Sequence, residues 1–482
     1  MFNLKRKVKK DFENKTDVNF SFDVSKLPEL DNHKKSRASR YIVAISLACV
    51  VVLCVILIPV FAGGVQILDS FQAYKSNYSL NEMKLIESSS FKKLNEVTYP
   101  SSEYQKYSIS ANYRDAVLDF TSKIYNKVDK ARDDFSFSPL GLYSNLDIVS
   151  LASDDALVGQ EFDSLLGDRD MRRSNYRSMY QNDFFANDDG TMQMYNGVFQ
   201  SKEYDYNQNF VDDLSRFYTE SYQIDFSNEN DIDKVLSWVD QKVDSQNFMN
   251  KEDLQIDEDS AILFLSTLYF NNEWNSKFST SQSYEDSFML DNGSTIETTF
   301  MTHVYRGDIH INDDFVSVFD YYQNGFKINY IVPKSLDVGD IISLTDGNVI
   351  FDKSINMDDA IIDLSVPRFK SSCMIDFTDV LKELGLVKVF EEDSQALNHA
   401  FDNLESDYSA YLSYTKQKNE VIFDEDGSEV KSVTFSMGNM TTTSKPDDQN
   451  IYCVKLNQKF IYVIYDSNDL PVYVGIVNNP KK

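Results

Sequence analysis

Residue types that could form a catalytic or metal site are few in this chain and lie far apart in the sequence. After the long apolar run near the N-terminus, the histidines are His303, His310 and His399, and none has the HExxH or paired spacing of a zinc site. The chain contains no G-x-S-x-G turn, P-loop or GxGxxG segment, the motifs of serine hydrolases and nucleotide-binding proteins. We therefore expect a protein that is not an enzyme and that holds no cofactor or metal.

The spacing of the cysteines does not indicate a disulfide framework or a metal site. Cys49 and Cys54 lie within the apolar run, which leaves Cys373 and Cys453 for the rest of the chain. This is neither a disulfide scaffold nor a CxxC metal pattern. Spacing leaves open whether Cys373 and Cys453 pair.

Charge is distributed unevenly along the 482 residues and limits the choice of partners. Residues 1–40 carry 11 basic and 6 acidic side chains, residues 41–68 carry none, and the remainder carries a formal charge of −34. Such an acidic surface repels nucleic acid, so no nucleic-acid partner is expected, whereas basic partners are attracted.

The apolar run predicts a membrane anchor. Residues 41–63 contain no charge, and as a helix they would span about 34 Å, which fits the hydrocarbon core of a bilayer. Basic residues precede the run, so the positive-inside rule predicts a cytoplasmic tail at 1–40 and an exterior C-terminal part. A signal peptide cleaved near Val60-Phe61-Ala62 is the alternative, although the basic region before it is unusually long.

Elements that could position a functional segment begin beyond residue 112. Residues 64–112 are polar with weak periodicity and are typical of an extracellular stalk. From about Tyr113 apolar residues recur at helical spacing, and a second helix is expected at 377–385 with Gly385 ending it. Alternating runs at 328–332 and 361–366 predict strands. We therefore expect one α+β domain over 113–482.

Five motifs in this domain resemble the serpin family, in order and at the family's spacing. They stand as follows in this sequence: Ser136-Phe137-Ser138-Pro139-Leu140-Gly141, with Asp134 in the place of an asparagine; Asn196-Gly197-Val198-Phe199, followed by Phe210, Tyr218, Asp225 and Phe226; Ser266-Thr267-Leu268-Tyr269-Phe270, followed by Trp274 and Phe278; Pro367-Arg368-Phe369, followed by Leu381, Leu384, Gly385 and Phe390; and Asn457, Phe460, Gly475, Val477 and Pro480, with Lys459 in the place of a proline. The resemblance implies a serpin fold, in which three β-sheets are surrounded by helices and a reactive-centre loop is exposed. Taken with the apolar run at 41–63 and its basic flank, it leads us to expect a membrane-anchored member of bacterial type.

The segment that carries the mechanism of the family lies between Phe423 and Asn457. In serpins a protease cuts the loop, and the loop then inserts as a new strand into the main sheet. The hinge begins Glu425-Asp426-Gly427 and resembles that of inhibitory members, and the glycine permits the backbone rotation at which insertion starts. Alternate residues must be small, because they would enter a packed core. One phase meets this requirement, namely Ser428, Val430, Ser432, Thr434, Ser436 and Gly438.

The polar cluster that controls sheet opening in the family departs from the family's pattern. Ser138 is retained, whereas Gly141, Ser266 and Gln417 replace a serine, an asparagine and a histidine. We expect Gln417 and Ser266 to rebuild the hydrogen bonding there.

The position of the bait bond follows from the same resemblance. Inhibitory members place the scissile residue fourteen positions after the hinge glycine, which selects Thr441-Thr442, with Met440-Thr441 one place away. Counting back from Phe460 lands near Asp448 instead, so the loop is longer than usual. We give weight to the hinge count, because inserted length decides how far the protease is carried.

These features predict a monomeric, extracellular inhibitor that is covalently trapped with a target serine, or alternatively cysteine, protease. The alternative is a non-inhibitory binding or adhesion module on the same fold. Large or charged residues in the inward phase of the hinge would favour that alternative, and here the residues of this phase are small.

Overall fold

The computed structural model describes residues 90–429 and 451–481, apart from 102, 104–105, 129–134, 189, 258, 335–346 and 353–355. The chain divides into two compact units, Met1–Glu87 and Ser88–Lys482, and every described residue belongs to the second. The predicted tail and membrane helix therefore lie outside the described residues. In the part of the chain that the structure describes, no helix combines the length and the apolar composition that crossing a membrane requires.

The helices begin and end as the sequence pattern indicates. Ser110 caps the first helix by accepting a hydrogen bond from the Tyr113 amide (3.2 Å), and Val117 and Phe120 are buried on its inner face. The expected helix near 377–385 is confirmed, and Gly385 (φ +97°) follows it. The helices are α1 (Ala111–Lys127), α2 (Pro139–Val149), α3 (Ala156–Leu166), α4 (Arg169–Asn182), α5 (Gln208–Arg216), α6 (Glu229–Lys242), α7 (Lys251–Leu254), α8 (Gly347–Ile350) and α9 (Thr378–Glu383).

Sheet A contains most of the residues of the candidate site. In spatial order its strands are β1 (Lys92–Lys93), β6 (Thr219–Ile224), β4 (Gly190–Ser201), β7 (Ile262–Glu273), β16 (Gly427–Glu429), β15 (Lys416–Phe423) and β13 (Phe369–Asp376), and β3 (Phe185–Asn187) pairs with β4 outside this order. β4 and β7 run antiparallel over eleven residue pairs, from Gly190↔Asn272 to Gln200↔Ile262. The short β16 lies between the long strands β7 and β15.

Sheet B has nine strands. In spatial order its strands are β17 (Ile451–Lys455), β12 (Asp358–Pro367), β9 (Thr295–Ile311), β10 (Phe315–Tyr321), β11 (Lys327–Pro333), β18 (Phe460–Tyr465), β19 (Pro471–Val477) and β2 (Phe135–Phe137), and β8 (Tyr284–Met289) pairs with β9. The expected strands at 328–332 and 361–366 are confirmed as parts of β11 and β12. The sheet is continuous because β9, with 17 residues, pairs with β8 and β12 along most of its length and with β10 at its end. A two-stranded sheet of β5 (Asp205–Tyr206) and β14 (Phe401–Asp402) completes the strands of the described residues.

The apolar core holds both sheets to the helices. α2 packs against β7 of sheet A and β19 of sheet B, and buries Leu142, Tyr143 and Leu146. A second apolar cluster lies between α6 and sheet A, where Trp238 meets Phe199 edge to face. Helix α2 is therefore positioned to connect the two sheets beneath β7 and β15.

Residues 90–95, which the sequence pattern places in the stalk, pack along the edge of sheet A. β1 pairs with β6, and the Phe91 ring lies 5.0 Å from that of Tyr222. The Asn95 side chain donates a hydrogen bond to the Thr219 carbonyl (2.9 Å) and accepts one from the backbone amide of Ser221 (2.8 Å). The packed unit therefore begins some twenty residues before the first regular helix.

Candidate functional site

The predicted hinge starts a strand inside sheet A. After β15 the chain turns at Asp424–Gly427 and returns antiparallel to β15 as β16. The Asp424 carboxylate accepts hydrogen bonds from the amides of Asp426 (3.0 Å) and Gly427 (3.2 Å), which closes the turn. On its other side β16 pairs with β7, with Gly427 opposite Glu273 and Ser428 opposite Asn272. The first residues of the hinge are thus already hydrogen-bonded between the two strands.

Gly427 is required by close packing. A Cβ atom at this position would lie 2.2 Å from the Asn272 carbonyl oxygen and 3.0 Å from the Glu273 Cα. Both contacts are to backbone, so any side chain would push β16 away from β7. A glycine at this point therefore lets the hinge enter the sheet.

Ser428 points into the core below the sheet. It is 3% exposed, and its hydroxyl lies 2.6 Å from the hydroxyl of Tyr322. The Tyr322 ring stacks on Trp274, with 4.5 Å between ring centroids. The site beneath Ser428 is thus lined by two large rings and accommodates a small polar side chain.

Trp274 and Arg368 hold the turn before the hinge. Trp274 donates its backbone amide to the Asp426 carbonyl (3.0 Å) and its indole NH to the Asp424 carbonyl (2.9 Å). The Glu425 carboxylate receives hydrogen bonds from Arg368 (2.5 Å) and Ser283 (2.6 Å). Burial alone would raise the pKa of Glu425, but these bonds outweigh burial and hold the pKa below its usual range. Glu425 is therefore an ionised anchor at neutral pH.

A slot continues below β16. Within the described residues β7 and β15 do not pair with each other, and a cavity of about 790 Å³ lies between them. Residues 262–269 of β7 line one side, and residues 409–420 line the other. Ser138, Gly141 and Leu142 of the α2 segment contribute to its floor.

The predicted sheet-opening residues tie both sides of the slot to α2. On the β15 side, Gln417 accepts a hydrogen bond from the Ser138 amide (2.8 Å) and donates one to the Ser138 carbonyl (3.0 Å). The Ser138 hydroxyl in turn caps α2 by accepting from the Gly141 amide (3.0 Å). On the β7 side, Ser266 accepts a hydrogen bond from Asn145 (3.0 Å). The structure thus brings Ser138, Gly141 and Gln417 together and links Ser266 to the same helix through Asn145.

Asn145 was missed by the sequence argument. It lies four residues after Gly141 and therefore on the same face of α2. That spacing from a residue already assigned to the cluster was the available signal.

The far end of the loop is fixed in sheet B. β17 pairs in parallel with β12, from Ile361↔Ile451 to Ser365↔Lys455. The loop of 430–450 is therefore held at one end within sheet A and at the other at the edge of sheet B. The remaining predicted hinge residues (Val430, Ser432 and Thr434) and the candidate scissile residues (Met440, Thr441 and Thr442) lie outside the described residues.

Other reactive side chains serve the fold. His303 lies 3.0 Å from Asp320 within sheet B, with both side chains buried. Cys373 and Cys453 are free thiols, and Cys373 donates to the Ser136 carbonyl (2.9 Å). No group of three or more His, Cys, Asp or Glu side chains in the described ranges is arranged to hold a metal ion.

Comparison with known proteins agrees with this geometry. Residues 115–480 match the family model described as Serpin (serine protease inhibitor). Serpin-Z4 of Hordeum vulgare is 24% identical over 385 residues, which cover 75% of this chain and 94% of the relative. Serpin I2 of Homo sapiens is 22% identical over 381 residues, which cover 75% of this chain and 90% of the relative.

Solved structures share the fold. The thermophilic serpin tengpin, in its native state, superposes with a TM-score of 0.67 at 18% identity, covering 80% of this chain and all of tengpin. Thyroxine-binding globulin in complex with thyroxine superposes with a TM-score of 0.65 at 16% identity, covering 76% of this chain and 99% of the globulin. The motifs, the fold and the matched family model together establish that this chain belongs to the serpin family.

Proposed function

We propose that the protein inhibits an extracellular serine or cysteine protease by loop cleavage and strand insertion. The observation that carries this proposal is β16, which starts a strand between β7 and β15 directly above an unfilled slot. The protease supplies the nucleophile, and its attack on the Thr441 carbonyl releases the amine of Thr442 and leaves Thr441 joined to the protease by an ester for a serine nucleophile or a thioester for a cysteine nucleophile. Insertion of the freed hinge then carries the acylated protease away from the place where it cut the loop.

The register of β16 supports the hinge count. Gly427 lies opposite Glu273 and Ser428 opposite Asn272, so continued pairing would bring residue 438 opposite Ile262, where β7 begins. Thr441 would then lie three residues beyond the end of the slot. The residues on the same face as Ser428 would be 430, 432, 434, 436 and 438, since side chains alternate along a strand. An inserted strand of this length fills the whole slot, and the acylated residue Thr441 lies beyond its end.

The driving force follows from the same geometry. An inserted strand would pair with β7 and β15 along their length and fill the 790 Å³ cavity with side chains. Before cleavage the loop is held in sheet B by β17, and this tether opposes further insertion. The uncut state is thus trapped kinetically, and cutting the loop removes the trap.

The test is to incubate the full-length protein with a panel of serine and cysteine proteases and to look for an adduct that survives SDS. Mass spectrometry of the released C-terminal peptide should find an N-terminus at Thr442 or Thr441. A released peptide that starts after Lys445 or beyond would show that the register is wrong. Cleavage without any adduct across the panel would instead support the non-inhibitory binding or adhesion module.

We propose further that residues 41–63 anchor the inhibitor in a bacterial-type cell membrane with its C-terminal domain outside. The basic flank at 34–40 and the acidic remainder of the chain support this orientation. Protease shaving of intact cells should release a soluble fragment that carries the C-terminal domain. Fragment found free in the medium without shaving would argue for a cleaved signal peptide.

A further inference from the structure

One face of sheet B carries exposed apolar side chains beside the end of the loop. Val304 on β9 is 60% exposed and Ile451 on β17 is 57% exposed, the two largest exposures among the large apolar side chains of the described residues. Single exposed apolar residues are common on protein surfaces. These two call for an explanation because the strand register places them on one face.

The pairing of three strands defines this face. Val304, Asp363 and Cys453 lie side by side in one row, and Arg306, Ile361 and Ile451 lie side by side in the next. Residues that pair across strands point to the same side of a sheet, and so do residues two apart on one strand. Ile361 therefore lies beside Ile451, and Val304 lies diagonally from Ile361 on the same face; we call these three residues the loop-side stripe.

The charges around the loop-side stripe differ in their pairing. Arg306 is engaged by Asp359, with two of its nitrogens 2.7–2.9 Å from the carboxylate. Asp363 lies between Val304 and Cys453, and its contacts are the Thr302 hydroxyl at 3.4 Å and the Cys453 thiol at 4.0 Å. In the described part of the chain no lysine or arginine forms an ion pair with Asp363. The stripe therefore offers apolar area around an anion that has no lysine or arginine partner among the described residues.

We propose that the loop-side stripe and Asp363 are a second contact surface for the target protease, separate from the bait bond. This proposal rests on the proposed inhibitory function. Its occupant is a protease surface that presents an apolar side chain next to a lysine or arginine. Opposite charge at this point would steer the encounter, in keeping with the acidity of the whole chain.

The position of the stripe makes this partner geometrically reasonable. Ile451 follows directly on the loop of 430–450, and ten residues separate it from Thr441. Ten residues span at most about 35 Å even when fully extended. A protease of about 230 residues is roughly 40 Å across. A protease engaged at Thr441 therefore lies within reach of the stripe.

The test compares rate constants of adduct formation for variants of the full-length protein, using the protease that forms the adduct. The double variant Val304→Ser/Ile451→Ser should form adduct about tenfold more slowly, since it removes apolar contact from the encounter complex. Asp363→Asn should also slow the reaction and should weaken its dependence on salt. The number of inhibitor molecules consumed per protease should not change, because the hinge is intact.

Two matched controls lie outside the stripe. Leu157→Ser removes an apolar side chain of similar exposure (53%) on α3, and Asp393→Asn removes an exposed carboxylate elsewhere. Both should react at the wild-type rate. Melting curves check that every variant is folded, and substitutions at such exposed sites should change stability little.

The outcomes separate this proposal from the one on which it rests. If wild type forms no adduct with any protease, both proposals are overturned. If wild type forms adducts and the stripe variants react as fast as wild type, the second contact surface alone is overturned. It is also overturned if light scattering shows a wild-type dimer that the double variant loses while its reaction rate stays the same, because the stripe then joins two copies of this chain.

Discussion

At the scale of single residues, the hinge is defined by the space that each position allows. Gly427 stands where a Cβ would meet the backbone of β7, and Ser428 fills a small site above Tyr322 and Trp274. The next residues of the same phase would enter a slot whose floor is the start of α2. A charge in that phase would be buried without a partner, which costs several kcal/mol.

The first prediction tests this phase. Ser432→Arg, or Val430→Glu, should turn the inhibitor into a substrate, because slow insertion gives the acyl-enzyme time to hydrolyse. The measurement is the ratio of SDS-stable adduct to cleaved protein, which should fall at least tenfold. Lys431→Glu is the matched control, since it changes a charge in the opposite phase and should leave the ratio near that of wild type. Equal adduct yields for Ser432→Arg and Lys431→Glu would contradict the assignment of the buried phase.

At the scale of elements, a pair of buried acids lies where the end of α4 meets the turn between β18 and β19. Asp183 follows α4 and lies close to Asp466 in that turn, and both are 1% exposed. Asp466 also accepts the amides of Asn468 (2.8 Å) and Leu470 (2.7 Å). Burial raises the pKa of Asp466 to about 6, and burial together with repulsion from Asp466 raises the pKa of Asp183 well above its usual value. Two other charged side chains lie near this pair. One is Asp469. The other is Lys106, whose ammonium group donates a hydrogen bond to the Ser467 carbonyl (2.7 Å).

This pair predicts a loss of stability as the pH rises. In the unfolded chain both aspartates release their protons near pH 4, whereas the folded protein retains protons to pH 6 and above. The folded state therefore loses stability between pH 4 and the raised pKa values. Asp183→Asn should reduce the fall in melting temperature between pH 5 and pH 8 by a few degrees, because it removes one of the two buried groups whose pKa is raised.

Asp170→Asn on α4 serves as the control for this experiment, because Asp170 is exposed. Melting curves recorded by circular dichroism at pH 5, 6, 7 and 8 provide the comparison. A wild-type protein whose pH dependence matches that of Asp183→Asn would show that the pair does not hold a proton.

At the scale of the whole molecule, the two ends of the loop of 430–450 are fixed in two different sheets. Sheet A has an unfilled slot, and sheet B holds the other end of the loop through β17. Helix α2 connects both sides of the slot, through Ser138 on one side and Asn145 on the other. Cutting the loop frees one end without breaking any of these contacts.

Cleavage without trapping should therefore stabilise the protein. Wild type nicked in the loop by a non-target protease should melt more than about 15 °C higher than uncut protein, because a full strand enters sheet A. Nicked Ser432→Arg should show a much smaller rise, since its loop cannot insert completely. An unchanged melting temperature of nicked wild type would mean that the slot stays empty after cleavage.

The sequence by itself determined the family and the absence of enzyme motifs, and it predicted a phase of the hinge of which the structure describes the first residue, Ser428, as buried. These are local properties: α1, α9, β11 and β12 follow from periodicity, and the hinge glycine and the small residues after it are read along a few positions. Only the tertiary structure decided which partners complete the site. The Gln417 side chain meets Ser138 across 279 residues of sequence, Ser266 bonds Asn145 across 121, and Lys92–Lys93 join the edge of sheet A. Such contacts depend on how strands and helices pack in space, and periodicity within a segment contains no information about the surface that the segment will meet.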